Sequence, residues 1–178
     1  MTVFVVATGP GDPDLLTIRV EQLLASADAV AHEPAVPTSI VELAGAAAKV
    51  AEIEQDDADA LVALAAAHET VVRLGAGDRL ALQAGGAEAV ALRAAGIAVE
   101  VVPVVLAATA VPVLRGIPVM ARDLAPVLTV AVGSVAAGPA PTGTTVVTVP
   151  DPTAPTVTVD GAVAALDLRR LPAREVAP

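Results

Sequence analysis

Apolar and polar positions alternate in blocks along the first hundred residues of the chain. Thr2 to Ala7 is a short, β-branched run that glycines terminate, the signature of a buried strand. Asp12 is placed to cap a helix with Pro13 at its first position, where a missing N–H costs nothing. Leu16, Val20, Leu23, Leu24 and Ala27 then recur at helical spacing and predict one apolar face. Asp28 to Ala31 reads as a second strand, Asp56 to His68 as a second helix, and Thr70 to Leu74 as a strand running into Gly75-Ala76-Gly77-Asp78. His68 falls near that helix's C-terminus, where its partial charge suits the dipole. Gly85-Gly86 opens a third helix that stops at Gly96, and Ile97 to Pro103 returns as a strand. Strands alternating with helices predict an α/β protein with a parallel, helix-covered sheet.

The texture changes after Gly133. Ala136 to Thr144 reads as a Gly/Pro/Ala/Thr linker, Thr145 to Val149 and Thr156 to Val159 as strands, and Ala162 to Leu171 as a short helix before a frayed end. That linker reads as a boundary between two lobes.

Composition narrows the function classes. The net charge of −10 disfavours nucleic acid, which demands clustered cations, and Lys49 is the single lysine. With no cysteine, thiolate metal sites, disulfides and Cys nucleophiles are excluded, and two distant histidines give no metal signature. The longest apolar run, Val101 to Leu114, is too short for a membrane span and contains Pro103 and Pro112. Met1 to Ala7 lacks a basic leader. A cytoplasmic protein without membrane or nucleic-acid partners is therefore expected.

Three glycine turns carry the candidate chemistry. Thr8-Gly9-Pro10-Gly11-Asp12-Pro13 sits between a strand and a helix start, where glycines admit a close backbone approach; its spacing matches neither a dinucleotide fingerprint nor a phosphate loop. Gly75-Ala76-Gly77-Asp78 ends another strand, so both turns are expected at the carboxyl edge of one sheet, where open α/β proteins bind ligands. Asp78 is then either an acceptor for a ligand hydroxyl or amine, or a turn residue bonding its own backbone. Gly116-Ile117-Pro118, with Arg122 and Asp123 beyond, reads as an ordinary loop with a surface ion pair. His32 and Glu33 form the one candidate acid–base pair, although such neighbours are more often surface residues.

In this order the segments resemble the tetrapyrrole (corrin/porphyrin) methyltransferase family, in particular its uroporphyrinogen-III C-methyltransferase branch. That family's first turn reads close to Gly-x-Gly-Pro-Gly-Asp-Pro-x-Leu-Leu-Thr, matched by Ala7 to Thr17. Its second reads Val-Val-Arg-Leu-Lys-Gly-Gly-Asp-Pro followed by Gly-Gly-Glu-Glu, matched with substitutions by Val71 to Arg79 and Gly85 to Glu88. Ala94-Ala95-Gly96-Ile97 through Val102-Pro103, then Gly116-Ile117-Pro118 and Arg122, continue the match, which covers residues 2 to 134. The resemblance implies an N-terminal α/β lobe over residues 1–112, carrying the glycine turns, and a reduced C-terminal α/β lobe over residues 113–178, together holding S-adenosylmethionine, with no metal, a tetrapyrrole substrate and a homodimer. It implies cofactor contacts at Pro10, Ala76, Gly77, Asp78, Ala81, Leu106 and Ala107, and a catalytic base at Glu33.

The chain departs from the family at working positions. Ala76 replaces a glycine, Arg79 a proline, Val104 a glycine and Leu106 a threonine, and no Lys-Arg-x-Gly segment stands between Ile53 and Asp56. Three readings therefore stand side by side: a C-methyltransferase of tetrapyrroles, on uroporphyrinogen III in sirohaem or cobalamin synthesis; a non-catalytic relative retained as a binding or dimerisation module; and a methyltransferase that reuses the scaffold for another, less anionic substrate.

Overall fold

The computed structural model describes residues 1–55, 57–78, 86–120, 126–132, 144–149 and 158–160. They fall into two compact units, one spanning Met1–Leu106 and the other beginning at Ala107.

Five parallel strands build the first unit: β1 (Thr2–Ala7), β2 (Ala29–His32), β3 (Lys49–Glu52), β4 (Thr70–Gly75) and β5 (Ala98–Val102), in the order β3-β2-β4-β1-β5. The parallel sheet expected from the alternating pattern is present. Its central register runs from Thr2 opposite Thr70 to Ala7 opposite Gly75, so β1 and β4 end together. Side-chain alternation divides the core. Val6, Val72 and Leu74 face a cluster with Val20, Leu23 and Leu24 of α1 (Ile18–Ser26) and Ile40 of α2 (Thr38–Val41). Val3, Val5 and Val71 face the other, with Leu61 and Ala65 of α3 (Ala58–Ala66) and Leu92 of α4 (Gly86–Ala94). Aliphatic side chains of this kind contribute about 1.5–3 kcal/mol each when fully buried.

The first helix differs from the expectation of one element starting at Pro13. Asp12 caps only a 3-10 turn, Pro13–Leu15, accepting from Asp14 N at 3.0 Å. Leu16 is extended, which lets it pack on the core, and Thr17 caps α1 afresh by accepting from Val20 N at 3.3 Å. Two cap residues five positions apart interrupt what the apolar spacing alone reads as continuous. Asp57 caps α3 through Ala60 N, and the His68 ring donates from Nδ1 to Leu64 O at 2.9 Å. Gly96, at φ 76°, closes α4, with Ile97 N donating to Leu92 O as in a Schellman turn.

Sequence reasoning missed α2 and β3. The edge strand β3 has three exposed residues and one half-buried, so no apolar alternation marks it; only its pairing with β2 does.

In the second unit, α5 (Ala107–Leu114) precedes β6 (Val127–Val132), β7 (Thr144–Val149) and β8 (Thr158–Asp160). β6 and β7 are parallel, β7 and β8 antiparallel. Gly116, at φ 74°, ends α5 as Gly96 ends α4, with Ile117 N donating to Pro112 O. The apolar stretch Val101 to Leu114 divides between β5 and α5, and no helix among the described residues is long and apolar enough to cross a membrane. The expected linker at Ala136 to Thr144, apart from Thr144 itself, the Arg122–Asp123 pair and the helix at Ala162 to Leu171 lie outside the described residues.

Candidate active site at the carboxyl edge of the parallel sheet

Because the five strands run parallel, every strand exit of the first unit lies on one edge, and the two glycine turns meet there. Thr8 N donates to Gly75 O at 2.9 Å, and Gly9 N to Gly77 O at 2.9 Å. The buried Thr8 hydroxyl accepts from Gly77 N at 3.2 Å. Three hydrogen bonds thus weld the β1 exit to the β4 exit. Gly9 has φ 56°, and a Cβ there would stand 2.1 Å from Val105 O. The close approach for which this glycine is needed is therefore to the β5 exit, within the protein itself.

Glu33 enters from the β2 exit and is buried, at 3% exposure. Its backbone N–H donates to Leu74 O at 3.2 Å, and its carboxylate Oε2 accepts from Ala76 N at 2.9 Å. Oε1 lies 3.8 Å from the Arg73 guanidinium. The His32 ring meets the backbone carbonyl of Glu33 at 3.0 Å through Nδ1, so the two side chains do not form the hydrogen-bonded dyad that adjacency suggested.

Arg73 is the residue sequence reasoning passed over. It is 1% exposed, inside a central strand. Its Nε and Nη2 fork onto the Glu88 carboxylate at 3.3 and 2.7 Å, and Nη1 and Nη2 donate to Ile53 O and Glu54 O at 3.0 and 3.1 Å. A charge within an otherwise apolar strand was the available signal, because buried guanidinium groups demand buried partners. Glu88, in the first turn of α4 and buried, is that partner.

Ala76, Gly77 and Asp78 are buried around this junction, Gly77 at φ 61°, and Pro10 is half-buried beside it in sequence. Leu106 closes the first unit and Ala107 begins α5 of the second. Ala81 lies outside the described residues. A shallow depression of about 700 Å³, lined in part by Asp28, Lys49 and His68, sits at the opposite, amino edge and contains none of the candidate residues. No group of acidic or histidine side chains suited to a metal occurs among the described residues.

Residues 2–177, which include both glycine turns, match the family model for tetrapyrrole (corrin/porphyrin) methylases. The chain belongs to the tetrapyrrole methylase family. Among curated members, uroporphyrinogen-III C-methyltransferase of Synechocystis sp. is 34% identical over 146 residues, 76% of this chain and 56% of that protein. A siroheme synthase of Pseudoalteromonas atlantica is 35% identical over 141 residues, 74% of this chain but 30% of that protein. The chain thus spans little more than half of the first relative and less than a third of the second. Among solved methylases, uroporphyrin-III C-methyltransferase of Thermus thermophilus complexed with S-adenyl homocysteine superposes with a TM-score of 0.69 at 32% identity, over 83% of this chain and 65% of that one. A cobalt precorrin-4 methyltransferase shares the fold at 23% identity and a TM-score of 0.66.

Proposed function

We propose that this tetrapyrrole methylase is an S-adenosylmethionine-dependent C-methyltransferase acting on a tetrapyrrole, with uroporphyrinogen III as substrate on a route to sirohaem or cobalamin. The observation that carries the reading is the junction at the carboxyl edge, where Thr8 and Gly9 hold the Gly75–Asp78 turn in place. The residues fit the cofactor: the buried Asp78 carboxylate suits a cation bearing hydroxyl and ammonium donors. Pro10, Ala76, Gly77, Asp78, Ala81, Leu106 and Ala107 are the proposed contacts. The bound cofactor supplies a methyl group on a sulfonium. The chain's own task is to orient the acceptor carbon against it and exclude water, which supplies most of such a rate. Glu33 is the proposed acceptor for the proton released from that carbon. A cytoplasmic homodimer is the proposed state, checked by sedimentation of the purified chain.

A second reading, a non-catalytic binding or dimerisation relative, is favoured by one observation: the Glu33 carboxylate already serves Ala76 N and faces Arg73. Calorimetric titration with S-adenosylhomocysteine separates the two. Micromolar binding that Asp78→Ala abolishes, followed by methyl transfer to uroporphyrinogen III that Glu33→Gln slows, supports the enzyme. A folded chain that binds nothing leaves the non-catalytic reading.

A further inference from the structure

One guanidinium and two carboxylates are sealed together beneath the Gly75–Asp78 turn, and the methyl-transfer reading uses only one of the three. Arg73 places four of its five N–H groups: two on Glu88, one on Ile53 O and one on Glu54 O. These bonds tie β4 to the start of α4 and to the chain leaving β3. The second carboxylate, Glu33, stands 3.8 Å from the same Nη2 that lies 2.7 Å from Glu88. Two buried carboxylates therefore face one guanidinium, and Glu88 holds the shorter contacts. Glu33, left at the longer distance, turns its other oxygen to Ala76 N at 2.9 Å, and that bond sets where the turn backbone lies.

We infer that Arg73 is a positioning residue for the cofactor turn, acting through the division of its guanidinium between Glu88 and Glu33. The inference rests on the reading of this edge as the methyl-donor site. When Glu88 loses its charge, the guanidinium is drawn toward Glu33 Oε1, and the carboxylate turns with it, displacing Oε2 from its place at Ala76 N. Lysine does not replace Arg73, because an ammonium keeps the charge but lacks the planar fork that meets Glu88 and two carbonyls at once. A pair that served only to hold the core together would change stability and leave the turn alone.

The test uses the full chain and two variants, Glu88→Gln and Arg73→Lys, read by amide NMR and by titration with S-adenosylhomocysteine. In the unsubstituted protein the Ala76 amide exchanges as slowly as the neighbouring β4 amides; rapid exchange there overturns the inference, whatever the variants do. In both variants the Ala76 and Gly77 resonances move while those of Val3 and Val5 stay, and affinity falls about fivefold to tenfold, the worth of one well-placed hydrogen bond. Ala76 and Gly77 resonances unchanged in a variant with a lowered Tm overturn it and leave a purely structural ion pair. If Arg73→Lys does not fold, Glu88→Gln, a neutral isostere, carries the comparison. An unsubstituted chain that does not bind S-adenosylhomocysteine refutes the methyltransferase reading, and the amide resonances still decide the role of Arg73.

Discussion

Replacing Gly9 by alanine tests whether the first turn is built for internal packing. The φ of 56° costs an L-residue about 1–2 kcal/mol, and the new Cβ would stand 2.1 Å from Val105 O, well inside ordinary contact. The obstacle is backbone, which cannot rotate aside, so either the β1 exit or the β5 exit has to shift by about 1 Å. Forced overpacking of this kind adds about 1–3 kcal/mol. Gly96 supplies the control: its φ is 76°, but nothing lies within 4 Å of an added Cβ. Gly96→Ala therefore meets only the conformational penalty, about 1 kcal/mol once the stiffer unfolded chain is counted. Urea unfolding of the two variants, at equal m-value, is expected to place Gly9→Ala below Gly96→Ala by about 1–3 kcal/mol. For a chain of this length that is about 2–12 °C in Tm. Equal losses in the two variants refute the argument, because the contact with Val105 would then carry no energy.

Removing the buried cation is more severe. Arg73→Met removes the guanidinium that forks onto the buried Glu88 carboxylate, and a loss of about 3–5 kcal/mol is expected by the same urea measurement; a loss under about 1 kcal/mol contradicts the burial of Arg73 and Glu88. Thr8→Val keeps the shape but removes the acceptor for Gly77 N. Hydrogen exchange at the Gly77 amide is expected to quicken while β1 amides keep their protection, with a stability loss of about 1–3 kcal/mol. An unchanged Gly77 amide would show that the Gly9 N–H to Gly77 O bond holds the two turns without the hydroxyl.

Much of the first unit was legible in the linear pattern. The strands Thr2–Ala7 and Thr70–Gly75 announced themselves because a parallel sheet covered on both faces needs near-continuous apolar strands. The glycine stop at Gly96 was legible because a left-handed residue ending a helix is usually glycine, whereas Gly116 reads as a loop because the pattern predicts no helix over Ala107–Leu114. The family was legible because its two turns are contiguous stretches, Ala7 to Thr17 and Val71 to Arg79, that read the same whatever the strand order. Capping, too, is local, yet sequence reasoning found only Asp12 as a cap; the second cap at Thr17 follows from the extended Leu16 packing on the core between them.

Tertiary structure alone decided what the polar residues do. Glu33, Arg73 and Glu88 are separated by 40 and 15 positions, and no periodicity relates them; strand order brings the β2 exit beside β4 and lays α4 across it. The same order places β5 against β1, which is why Gly9 answers to Val105. Local sequence determines where strands, turns and caps fall, since those depend on neighbours along the chain. Which buried charge meets which depends on neighbours across the sheet, and that is settled only when the strands pair.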